Sequence, residues 1–124
     1  MAKAVSTDVL DGALNILKIN VTKMVVCSAQ PLTFTDANTT YKLAEVVMAA
    51  ADFTLAAGVT SGRRVTMAAK SAVPVLTTGS ATHVALLDVT GSRLLYVTTT
   101  TTQALTAGGT VTTTAWDVEI ANPV

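Results

Sequence analysis

Charge is what this sequence has least of. Lys, Arg, Asp and Glu make up 13% of its 124 residues, eight bases against eight acids, where an average soluble domain carries roughly 25%. Without a basic excess there is no electrostatic footprint for DNA or RNA, and without an acidic excess there is no solvating tail. Half of the residues are hydrophobic and the mean hydropathy is +0.52. Such a chain makes a poor surface for a free monomer, so neutral polar side chains must wet the exterior or other subunits must cover part of it.

Cysteine is nearly absent. A single thiol, Cys27, rules out an internal disulfide and a multi-cysteine metal site and points to folding in a reducing compartment. No His, Lys or Arg adjoins it in sequence to lower its pKa, so it reads as a small core residue. His83 is the one histidine; Asp88, five residues on in the same expected strand, falls on the opposite face. There is no G-x-S-x-G elbow, HExxH, CxxC or Asp-rich calcium loop. Gly58, Gly62, Gly79, Gly91, Gly108 and Gly109 mark turns, and none opens a helix as a phosphate cradle. The reading is therefore non-enzymatic, with no catalytic, cofactor-binding or metal residues. Aromatics are also few: Phe34, Tyr41, Phe53, Tyr96 and Trp116, too sparse for a carbohydrate platform, with Tyr96 and Trp116 expected to anchor the core. No apolar run reaches the ~18 residues of a membrane span, and no signal-peptide pattern opens the chain, so synthesis in the cytoplasm and no membrane partner are expected.

What is abundant is threonine, 23 residues of it, together with valine; β-branched side chains suit a pleated surface better than a helix. Residues 81–88 and 93–100 read as a hairpin around Val89, Thr90, Gly91 and Ser92, with Gly91 supplying positive φ. A second turn covers 105–110, followed by strands at 111–113 and 116–120. In the last, Trp116, Val118 and Ile120 share one face and Asp117 and Glu119 the other. The five threonines at 98–102 give both faces the same residue, so register there is weakly specified and a strand end or surface loop is expected.

Upstream, Ser6 can cap a helix carrying Asp8 in its first turn, with Val9, Leu10, Ala13, Leu14 and Leu17 at helical spacing through Lys18. Gly12 weakens it by roughly 1 kcal/mol relative to Ala, so packing must hold it. Residues 21–28 read as a strand; Pro31 breaks it, and 32–41 is a loop or short helical turn capped by Thr35 or Asp36. Residues 43–48 and 52–56 read as short strands around the alanines at 49–51, with an alanine-rich helix as the competitor. After a turn at 58–62, residues 63–70 alternate as one half-exposed strand, and Pro74 marks 72–76 as an edge or connection. The sum is one mainly β domain, 1–124: an antiparallel β-sandwich or small barrel of about seven to nine short strands with one N-terminal helix and short arms at both ends.

The segments ATHVALLDVTGSRLLYVTT, LTAGGTV and AWDVEI, with AKAVSTDVLDGALNIL and TSGRRVTMAAKS, resemble small virion proteins of tailed bacteriophages and prophages. The resemblance implies a structural component of the particle, among them capsid decoration (cement) proteins on the outer head surface, and the alternative is a tail, baseplate or fibre-associated adaptor. It implies the major capsid protein as partner; the charge-poor surface, separately, leads to an expected self-association as a dimer or trimer. It supplies no catalytic residue. Candidate partner contacts are Ala2, Lys3 and Val5 in one arm, Pro123 and Val124 in the other, and Arg63 and Arg64, whose planar guanidinium groups suit carboxylates of a neighbouring subunit.

Overall fold

The computed structural model describes residues 4–122. Its elements run α1 (Thr7–Asn20), β1 (Lys23–Cys27), β2 (Lys42–Val47), β3 (Phe53–Ala57), β4 (Arg63–Met67), β5 (Lys70–Pro74), β6 (Gly79–Asp88), β7 (Arg93–Leu105), β8 (Thr110–Thr113) and β9 (Trp116–Ile120). A π-helical segment, Asp36–Thr40, precedes β2, and a 3-10 turn, Ala50–Asp52, precedes β3. The expected mainly β architecture with one N-terminal helix is the one the chain adopts. Its strands form antiparallel sheets in the orders β2-β1-β6-β7, β3-β4-β9 and β5-β8.

The helix begins as its sequence dictates. The Ser6 hydroxyl accepts from the Asp8 N–H at 3.1 Å, with Asp8 in the first turn and Lys18 in the last, favourable ends for the helix dipole. It continues two residues past Lys18 and stops at Val21, which turns extended while its N–H still closes on Leu17 O. Leu10, Leu14 and Leu17 are buried, whereas Val9 and Ala13, expected on the same face, are exposed. Lys18 Nζ donates to the carbonyls of Phe53 (2.8 Å) and Ala50 (3.3 Å), and Asp11 pairs with Arg63 at 2.7 Å, so the polar flank of the buried stripe is tied to the start of β3 and to β4.

The four-stranded sheet is covered on both faces. Along one, Met24, Val84 and Leu86 meet α1 and the three-stranded sheet through Phe53, Val65, Met67 and Val118. Farther along the same face, Val26, Ala44 and Ala81 meet Val73 and Val111 of the β5-β8 pair. On the opposite face, Val25, Cys27, Ala85 and Leu87 lie beneath Ala37, Phe34 and Tyr41 of the β1–β2 connection. This double cover explains why 24–27 and 84–87 are unbroken apolar runs where a half-exposed strand would alternate.

Several expectations are corrected by local hydrogen bonding. The turn at 32–41 is capped by Thr33, since Thr35 is already helical (φ −63°, ψ −40°). Thr33 Oγ1 accepts from the Asp36 N–H at 3.1 Å, and the Asp36 carboxylate accepts from the Leu32 N–H at 3.2 Å. The single strand expected over 63–70 is two. β4 ends at Met67 opposite Phe53, the first residue of β3, with one further bond in register from the Ala68 N–H to Asp52 O (2.8 Å), and β5 restarts at Lys70 in a different sheet. In the β6–β7 turn the positive φ belongs to Ser92 (+53°) and not to Gly91. At 91 a Cβ would lie 2.8 Å from Asp88 Oδ2 and press on the carboxylate that Arg93 holds.

The threonine run is neither a strand end nor a loop. β7 passes straight through it, and between the pairs His83↔Thr99 and Ala81↔Gln103 the register slips, four steps on β7 against two on β6. A bulge falls where identical residues on both faces leave register least defined. The expected aromatic anchors are also revised. Phe53 is the ring in the core, at 1% exposure, while Tyr96 and Trp116 are half-buried at its margin with ring centroids 5.9 Å apart. Truncation of Phe53 to Ala is expected to cost about 3–5 kcal/mol, and Thr101→Ala, in the exposed run, less than about 0.5 kcal/mol. Urea denaturation of the two variants measures the difference.

Candidate interaction surface

The fold places the chemistry-bearing residues closer together than sequence spacing suggested. Cys27 and His83 are direct cross-strand partners on β1 and β6, a proximity that no local sequence signal announces. The pairing does not activate the thiol: Cys27 is fully buried, and burial pushes its pKa up to about 11, leaving a neutral, inert group at physiological pH. His83 Nδ1 sits 2.9 Å from Thr82 Oγ1, a hydrogen-bonded strand histidine as expected. Asp88 turns to the hairpin, accepting from Arg93 Nε (3.1 Å) and Nη2 (2.8 Å) and from the Gly91 N–H (3.1 Å). Among the described residues no three His, Cys, Asp or Glu side chains gather as a metal site, and no helix is long and apolar enough to cross a membrane.

Among the described residues, every basic side chain is engaged within the chain. Lys23 and Lys42 share Glu45 at 2.7 and 3.2 Å, and Lys23 also donates to Asn38 Oδ1 at 2.9 Å, which fastens the π-helical segment to the sheet. Lys70 pairs with Asp52 at 2.9 Å, and Arg93 with Asp88. Arg63 and Arg64, expected to reach a neighbouring subunit, point to opposite faces of β4. Arg63 holds Asp11 of α1, and Arg64 holds Asp117 of β9 at 3.1 Å, beside Thr66 Oγ1 at 2.6 Å on the same carboxylate. They form no joint basic patch, because consecutive strand residues alternate sides.

Of the other candidate contacts, Ala2, Lys3, Pro123 and Val124 lie outside the described residues, and Val5 is half-buried just before the helix cap. The chain after β9 is held against the β3–β4 turn. The Asn122 N–H donates to Ser61 Oγ at 3.1 Å, and Gly62 (φ +69°) admits the Ile120 carbonyl where a Cβ would collide.

Two open features remain on the surface, neither foreseen from sequence. The first is a cleft of about 330 Å³ between Thr98, Thr99, Thr100 and Thr101 of β7 and the segment from Val111 to Asp117 that carries β8 and the start of β9. Among the described strands β7, β8 and β9 each have a partner on one side only. Three strands with unpaired backbone edges therefore border a cleft lined by threonines together with Val26, Val84, Val111 and Trp116. The second is an apolar groove of about 480 Å³ between Ala13 and Ile16 of α1 and Leu95, Tyr96, Val118 and Ile120.

Nothing matches this chain among protein-family models, curated proteins or solved structures. Function is accordingly read from these two surfaces and from the way the charges are used.

Two outcomes follow from the chemistry of the buried groups. A thiol reagent at pH 8 is expected to leave Cys27 unmodified in the folded chain and to modify it fully in denaturant. Acid is expected to destabilise the fold. Hydrogen bonds from Arg93 and then Gly91 hold Asp88 below the ordinary carboxylate range, and those from Ala49 N–H and Lys70 do the same for Asp52. Burial pushes Glu45 up, but the hydrogen bonds and charges of Lys23 and Lys42 outweigh it and leave it lowered. The folded state thus binds fewer protons than the unfolded one. The stability these groups contribute is complete above the ordinary carboxylate values near about 4 and is lost as pH falls through the lower folded values. Urea midpoints between pH 7 and pH 2 measure the loss, and Asp88→Asn should flatten it.

Proposed function

We propose that this chain is a non-enzymatic structural protein of a tailed-bacteriophage virion, a decoration or cement protein. In this reading it binds the outer surface of the head and holds neighbouring major capsid subunits together. The class comes from the sequence resemblance. The observation that carries the binding mode is the threonine-walled cleft bordered by the unpaired edges of β7, β8 and β9. An extended arm of another polypeptide laid along such an edge completes the ladder through main-chain hydrogen bonds, and the hydroxyl walls satisfy polar groups at low cost in sequence specificity. Every basic side chain of residues 4–122 is already engaged inside the chain. Recognition by shape and backbone pairing therefore fits this surface better than recognition by ion pairs. Individually weak contacts of this type become durable when many copies bind one lattice.

Mass spectrometry and imaging of purified particles test the reading. Hundreds of copies on the head surface are expected; a dozen or fewer at the tail or baseplate would move the protein to the adaptor role, and absence from the particle would overturn both. Thr100→Arg places a bulky charge in the cleft. It is expected to leave the far-ultraviolet circular dichroism unchanged while reducing retention on heads by about tenfold or more.

A further inference from the structure

The outward side of α1 is the least explained surface of the molecule. At 100° per residue, Thr7, Asp8, Asp11, Asn15 and Lys18 gather on one narrow arc, and apart from Asn20 the remaining roughly 220° carries only apolar residues and Gly12. Leu10, Leu14 and Leu17 account for the part that faces the core. The rest is displayed: Val9, Ile16 and Ile19 are 62%, 46% and 70% exposed. A surface helix normally needs an apolar stripe only toward its own core, so half of this arc is unused by the single chain. Gly12 lies within that half, between Ile19 and Ile16 around the helix. A Cβ built there meets nothing within 4 Å and its φ is not positive, so nothing in the isolated fold requires glycine at a position where it weakens a helix.

The apolar groove runs alongside this ridge, with Ala13 and Ile16 forming its helical wall and Leu95, Tyr96 and Ile120 the other. A convex apolar ridge and a concave apolar groove thus lie side by side on one face, which is the requirement for an isologous contact: a two-fold axis sets each copy's ridge into its partner's groove. Charge points to the same occupant. Among the described residues no basic side chain lines the groove. Glu119, at the groove's rim, is turned to the N–H groups of Thr60 and Ser61. The remaining acid is Asp8 at the N-terminal end of α1. Antiparallel helices closest at Gly12 hold the two Asp8 positions about 12 Å apart along the axis and oppose the helix dipoles favourably, whereas a parallel arrangement would bring the acids together.

We propose that a second copy of this chain docks here, α1 against α1 in antiparallel orientation, with the backbones closest at Gly12 and the Ile16 side chain of each copy in the groove of the other. The contact does not rest on the virion reading, and a failure of either leaves the other standing.

Sedimentation equilibrium on the full chain at tens of micromolar tests it. A mass twice the 12.7 kDa of the chain is expected. Ile16→Glu, at an exposed position, should keep the circular dichroism of the native chain and raise the dissociation constant about 30-fold or more. Gly12→Cys should form a covalent dimer on mild oxidation, with the buried Cys27 as an unreactive internal control. Thr101→Glu, in the threonine cleft, should still dimerise. A native chain that sediments at 12.7 kDa throughout, a trimer, a dimer undiminished by Ile16→Glu, or a dimeric Gly12→Cys chain that does not cross-link would each overturn the proposal.

Discussion

Everything else in this molecule is arranged around the need to bury both faces of the β1–β6 ladder. Val25, Cys27, Ala85 and Leu87 point one way and Met24, Val26, Val84 and Leu86 the other, all at 8% exposure or less. A ladder apolar on both sides needs two covers. The chain provides them from distant parts: α1 with the β3-β4-β9 and β5-β8 sheets on one side, and the β1–β2 connection with Ala37, Phe34 and Tyr41 on the other. The π-helical segment is thus more than a connector; without it Cys27 and Ala85 would face water. Burial of this kind supplies most of the folding free energy, at about 25 cal/mol per Å² of apolar surface removed from water.

The ion pairs have a different task. Their side chains are mostly 20–35% exposed, where such contacts contribute about 0–1 kcal/mol each, too little to decide whether the chain folds. They join elements that the apolar core alone would leave free to slide. Arg63 fixes α1 over β4, Lys70 ties β5 to the 3-10 turn, Lys23 fastens the π-helical segment, and Arg93 clamps the β6–β7 hairpin. A chain with few charges has assigned them to positioning, and the surface left for other molecules is hydroxyl and aliphatic.

What could be read from the sequence was what local chemistry decides. Ser6 and Asp8 marked the helix start, the alternation of 116–120 gave the inner and outer faces of β9, and 89–92 gave the hairpin turn. What could not be read was decided by neighbours far along the chain. The strand expected over 63–70 divides because β4 pairs with Phe53–Ala57 only as far as Met67, while Lys70 pairs with Thr113, far along the chain in another sheet. Val9 and Ala13 share the periodicity of Leu10 and Leu14, and only the placement of the sheet determines which half of that wide stripe is covered. Arg63 and Arg64 looked like a basic pair because adjacency in sequence is visible and alternation across a strand must be inferred. Both open surfaces arise between elements 60 or more positions apart in part of their lining, beyond any window of periodicity.

The bulge in β7 tolerates changes in chain length. It lies inside five identical residues, between the fixed pairs Val84↔Thr98 and Ala81↔Gln103, so one threonine more or fewer changes the size of the bulge and leaves the pairs flanking it intact. The strand can therefore absorb an inserted or deleted residue at one tolerant joint, and the cleft wall can lengthen or shorten while the core behind it keeps its register.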